Sequence, residues 1–151
     1  FAVPAGILAS GFAEELRKRD FVVNWQSVAR VPLFARLDAN AIASVAQLLK
    51  PRSVSANQVI VRRGDVADSM YFIMEGEVEV DITPNPVRLK QGDFFGEIAL
   101  VENVPRTATI LSLTNCRLLV LETVDFERLT TQIPDLKDQI KRISDKRVSE
   151  R

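Results

Sequence analysis

Between Arg52 and Glu122 the apolar residues of this chain abandon a helical period and alternate, and glycine-based turns cut the alternation into short runs. Val59-Ile60-Val61 is β-branched throughout, and Met70-Tyr71-Phe72-Ile73-Met74 reads as a buried strand. Val78, Val80 and Ile82 alternate with Glu77, Glu79 and Asp81. Val87–Lys90, Ala108–Ser112 and Cys116–Glu122 make further strands. Gly64-Asp65, Glu75-Gly76-Glu77 and Gly92-Asp93 are turn signals, and Pro84-Asn85-Pro86 is a loop. Short strands separated by such turns predict an antiparallel roll or barrel.

Both flanks of this block are helical. In Phe21–Arg30 the residues Phe21, Val22, Trp25 and Val28 have helical spacing, and Pro32 breaks the run. Asp38 suits an N-cap for a helix over Ala39–Leu49, which Pro51 ends. After the strands, Val124–Ile133 forms one predicted helix, Pro134 interrupts, and a second runs from Asp135 to about Glu150. Leu136, Ile140, Ile143 and Arg147 fall on a single stripe of that last helix. An arginine completing an apolar stripe either snorkels at its edge or lies over a flat π-face, such as a nucleobase. The fold class expected is α+β: an antiparallel, jelly-roll-like β-roll flanked by N-terminal and C-terminal helices.

The chain has 151 residues, 46% of them hydrophobic and 26% charged, which suits one domain with a sizeable core. Its formal net charge is zero, so nothing global points to a nucleic-acid polymer as partner. Histidine is absent, which removes Ser–His and Cys–His catalysis and His-ligated metal sites. The single cysteine, Cys116, lies in an apolar run and reads as a small buried thiol. Neither a G-x-x-x-x-G-K-[ST] phosphate loop nor a G-x-G-x-x-G fingerprint occurs. No enzyme is expected, hence no catalytic residue, no metal site and no cofactor.

The chemistry concentrates in Phe95–Thr109, FGEIALVENVPRTAT. Gly96 lets backbone approach a neighbour closely. Glu97 supplies a carboxylate, and Ile98 to Val101 can make one helical turn whose first free N–H groups suit an anion. Pro105 fixes the chain before Arg106, whose planar fork of donors fits a phosphate, and Thr107 adds a hydroxyl. A ligand carrying a phosphate and a sugar hydroxyl would use all of these. The competing reading makes Glu97 a turn carboxylate paired with Arg106, with no ligand at all.

The start of the chain has a different character. FAVPAGILASGFA carries no charge and ends in the cluster Glu14-Glu15-Leu16-Arg17-Lys18-Arg19. As a helix this run would reach only about 20 Å, short of the roughly 30 Å of a bilayer core. It lacks the basic n-region of a signal peptide. Its small residues and the basic residues after them suit the trailing end of a membrane helix, or else an amphipathic start packed on the domain or a partner.

FGEIALVENVPRTAT resembles the phosphate-binding cassette of cyclic-nucleotide-binding domains, whose pattern is F-G-E-[IL]-A-L, a short spacer, then [PQE]-R-[SAT]-A-T. The upstream GD…MYFIMEGEVEV is similar to that family's glycine-punctuated strand pairs. The resemblance implies cAMP as ligand, with cGMP the second candidate. It assigns the ribose 2′-OH to Glu97, close backbone approach to Gly96, and the cyclic phosphate to Arg106 with the N–H groups of Ile98 and Ala99. Thr107 would reach the phosphate or a guanine amino group, and Arg147 would cover the purine from the final helix.

The N-terminal residues resemble the inner end of the pore-lining helix in prokaryotic cyclic-nucleotide-gated potassium channels. On that likeness, residues 1–20 are the cytoplasmic end of a truncated membrane helix, and 21–50 a linker with the first helix of the binding domain. Residues 51–123 are then the roll with its cassette, and 124–151 the lid helices. The pore domain of the same channel is the implied partner, in a homotetramer when whole, with the binding domain on the cytoplasmic face of the membrane. A cAMP-sensing domain of a kinase regulatory subunit, or of a transcription regulator without its DNA-binding part, is the alternative context.

Overall fold

The computed structural model describes residues 25–149, with side chains from 26 to 147. The expectations for residues 1–20, for Phe21–Asn24 and for Glu150 lie outside the described residues. A short helix, α1 (Trp25–Ala29), leads into a 3-10 turn at Pro32–Phe34 and then α2 (Ala39–Leu48). Asp38 caps α2 as expected, its carboxylate accepting from the Ala41 N–H at 2.8 Å.

Eight strands follow: β1 (Lys50–Val54), β2 (Val59–Val61), β3 (Ser69–Glu75), β4 (Val78–Asp81), β5 (Val87–Leu89), β6 (Phe94–Phe95), β7 (Thr109–Ser112) and β8 (Cys116–Glu122). They form two antiparallel four-stranded sheets, ordered β1-β8-β3-β6 and β2-β7-β4-β5. The helix α3 (Glu97–Glu102) joins β6 to β7, so the cassette crosses from one sheet to the other. The chain closes with α4 (Thr123–Gln132) and α5 (Pro134–Ser149).

The apolar run of β3 follows from burial on both faces. Met70 and Phe72 point to a helical layer that also holds Phe34, Val45, Leu129, Leu136 and Ile140. Tyr71 and Ile73 point the other way, into the space between the sheets, with Val78, Ile110 and Leu118. β8 is divided in the same fashion: Leu119 and Leu121 face the helices, Cys116 and Leu118 the roll. A strand that is buried on both faces has no polar side to alternate with. The thiol of Cys116 is buried and unbridged.

Several details differ from those expected. Pro51 does not merely end α2; it lies within β1, an edge strand, where a residue without an N–H is tolerated. The strand β6 was not expected, because two residues are too few to show a period. The stripe of α5 runs through Ser144, which is fully buried, more than through Ile143, which is only partly so. The 3.6-residue period by itself favours the path through Ile143, so packing and not period turns Ser144 inward.

Candidate functional site

Phe95 ends β6 with its ring stacked on Tyr71 at 5.0 Å between centroids. The chain then turns at Gly96, whose φ of +87° is left-handed. A Cβ there would lie 2.9 Å from Arg106 Nη1, so glycine is required by conformation and by space together. Asn103, with φ +54°, ends α3, and its N–H donates to the Ala99 carbonyl. Arg106 follows, with its backbone fixed on both sides: its N–H donates to the Asp65 carbonyl at 2.9 Å and its carbonyl accepts from Gly64 N at 2.8 Å. The Gly64-Asp65 turn, which looked like a mere strand connection, therefore seats the arginine.

Glu97 and Arg106 are both buried, at 1% and 5% exposure. They do not pair with each other. Arg106 Nη1 donates to the Gly96 carbonyl at 3.3 Å, and Nη2 reaches Asp68 Oδ1 at 3.5 Å and Ser69 Oγ at 3.4 Å. Glu97 Oε1 instead accepts from Arg147 Nη1 at 2.7 Å, a contact between residues fifty apart in the chain. The competing turn-carboxylate reading of Glu97 with Arg106 thus does not describe the pair that forms. Arg147 also lies over the Phe94 ring, 4.7 Å from its centroid. Its guanidinium does sit on a π-face, but one the protein itself supplies.

Gly96, Glu97, Ile98, Ala99, Arg106, Thr107 and Arg147, the seven residues singled out in the sequence, all line one cavity. Its free space is about 690 Å³, counting the open mouth. Its polar lining comprises Glu97, Arg106, Thr107 and Arg147. The rest of the lining is largely apolar and includes Val61, Val80, Ile82, Val87 and Leu89. The sequence did not single out those apolar residues, although the alternation of Val78, Val80 and Ile82 placed them on one face. A pocket that joins two buried charges to an apolar slot suits a compact anion joined to a flat apolar ring.

The profile of a family described as "Cyclic nucleotide-binding domain" matches residues 51–132. The chain belongs to the cyclic nucleotide-binding domain family. This domain is 48% identical over 142 residues to a cyclic nucleotide-gated potassium channel of Rhizobium etli, covering 94% of the chain and 40% of the relative. It is 46% identical over 138 residues to one of Mesorhizobium japonicum, covering 91% of the chain and 39% of the relative. The domain thus spans about two fifths of the length of these relatives. Among solved structures it is similar to the regulatory domain of Toxoplasma gondii PKA with cAMP, at TM-score 0.71 and 25% identity over 90% of the chain and 51% of that chain. The α+β roll expected from the sequence is the fold of this family. No helix among the described residues is long and apolar enough to cross a membrane.

Proposed function

We propose that this domain is the cAMP-sensing and gating module of a potassium channel, with cGMP as the second candidate ligand. The reading is carried by the convergence of all seven predicted residues on one cavity lined by both a buried guanidinium, Arg106, and a buried carboxylate, Glu97. The cyclic phosphate is held by Arg106 and the N–H groups of Ile98 and Ala99, at the start of α3. The ribose hydroxyl donates to Glu97, and the base fills the apolar slot below Arg147. Thr107 contributes its hydroxyl at the phosphate end. The role is recognition, and no residue is assigned to catalysis.

The Glu97–Arg147 bridge suggests how binding could reach the rest of the molecule. Arg147 uses Oε1 of the carboxylate, which leaves Oε2 for the ribose. One buried group then serves the ligand and the last turn of α5 together, so occupancy biases the lid. A ligand that stabilises the closed lid shifts the population only by its differential affinity for that state, a few kcal/mol for a useful switch. In the channel reading, residues 21–50 pass this bias to the pore helix at residues 1–20, in a homotetramer with the domain on the cytoplasmic face. The likeness to PKA regulatory domains supports the alternative of a non-channel sensor, at much lower identity than the bacterial channels.

Calorimetric titration of the chain with cAMP and cGMP, beside Arg106→Ala, tests the site. The substitution removes a charge-assisted contact worth about 1.5–3 kcal/mol, a loss of roughly 10- to 150-fold in affinity. Equal cAMP affinity in the folded variant would remove Arg106 from the phosphate site.

A further inference from the structure

The guanidinium of Arg106 has two sides, and the mechanism above uses only the one that faces the cavity. Behind it lies a small polar cluster within an apolar neighbourhood. Ser69 is 4% exposed and Tyr71 5% exposed, both on β3. The Ser69 hydroxyl accepts from Arg106 Nη2 at 3.4 Å. It has one proton to give, to Asp68 Oδ1 at 3.0 Å or to Tyr71 Oη at 3.2 Å. Tyr71 Oη accepts in turn from Arg52 Nη1 at 3.3 Å, on the outer strand β1. Both arginines also lie over the Tyr71 ring, each with Cζ 5.8 Å from the centroid.

Buried hydroxyls are retained where they are satisfied, because an unpaired one is costly. Here an apolar pair at positions 69 and 71 would fill the same space without that demand. The two hydroxyls instead converge behind the one buried cation of the cavity, and the ring between them supplies a π-face within cation–π range. The acceptors at the back of Arg106 are all held at 3.3 Å or longer: the Gly96 carbonyl, the Ser69 hydroxyl, and the largely exposed carboxylate of Asp68, which forms an ion pair with it at 3.5 Å. A guanidinium held by several weak partners keeps its orientation without giving up its charge to any one of them.

We infer that Ser69 and Tyr71 are positioning residues for phosphate recognition: they hold the Arg106 guanidinium facing the cavity, with Arg52 anchoring the Tyr71 hydroxyl from the edge strand β1. The inference rests on the proposed nucleotide site and names two residues of β3 that act through Arg106 and not on the ligand.

A double-mutant cycle on cAMP affinity tests this in the full 151-residue chain. Ser69→Ala and Tyr71→Phe should each weaken cAMP by about 3- to 10-fold. In the Arg106→Ala background the same changes should cost no further affinity, because the group they orient is gone. A merely structural role would instead lower affinity by the same factor in both backgrounds, and that result overturns the inference. Wild-type affinity in both single variants overturns it too. Tyr71→Phe keeps the ring stack on Phe95, so it carries the test if Ser69→Ala does not fold. If Arg106→Ala itself binds cAMP normally, the nucleotide site fails and not just its support.

Discussion

At the scale of single residues, Gly96 shows how one position serves backbone and ligand site at once. Its φ of +87° puts it where an L side chain costs about 1–2 kcal/mol. Any Cβ there would also press on Arg106 Nη1 at 2.9 Å. Gly96→Ala should therefore lower the ligand-free melting temperature by about 2–8 °C. It should also weaken cAMP binding by displacing the guanidinium, so thermal melting and titration of the same sample must move together. A variant that melts lower but binds cAMP as before would separate the turn from the site. Glu97 makes the complementary case. A carboxylate at 1% exposure needs a partner, and the sequence offered two arginines in Arg106 and Arg147 without saying which.

At the scale of elements, α5 is tied to the roll by a buried apolar stripe and by the Glu97–Arg147 ion pair. Leu136 and Ile140 pack in the helical layer, and Arg147 closes on Glu97. Arg147→Ala removes the cation and leaves the buried carboxylate uncompensated, so the ligand-free melting temperature should fall. Adding Glu97→Gln to that variant removes the buried charge and should restore part of the loss. A double variant no more stable than Arg147→Ala alone would mean that the pair contributes nothing to holding the lid. The strands of the roll were legible because their alternation and their turns are local signals. So was the α2 cap, since an N-cap is a matter of one side chain and one N–H. The stripe was legible too, but its exact path was not, because Ile143 and Ser144 are neighbours and only packing decides which goes inside. The pairing of Glu97 with Arg147 could not be read at all. It joins residues fifty apart, and nothing local distinguishes it from a pairing with Arg106. The hydroxyls of Ser69 and Tyr71 were equally hidden, as their meaning depends on Arg106 arriving from another strand connection.

At the scale of the whole molecule, the cavity touches both sheets, α3 and α5. A ligand that fills it binds only the folded chain, so its binding free energy should appear as stability. At a cAMP concentration of about 100 times Kd, the folded state gains roughly 2.7 kcal/mol. For a chain of this size that corresponds to a rise of about 5–10 °C in melting temperature. A scan against cAMP concentration checks it, and a flat response would mean that the cavity is not where the nucleotide binds. The buried thiol of Cys116 has a separate consequence at this scale. A chain whose one thiol is shut inside β8 has none that a maleimide dye reaches readily. A cysteine placed at exposed Lys141 on α5 then becomes the position where such a dye attaches, and its fluorescence follows the lid with every other residue left as it is.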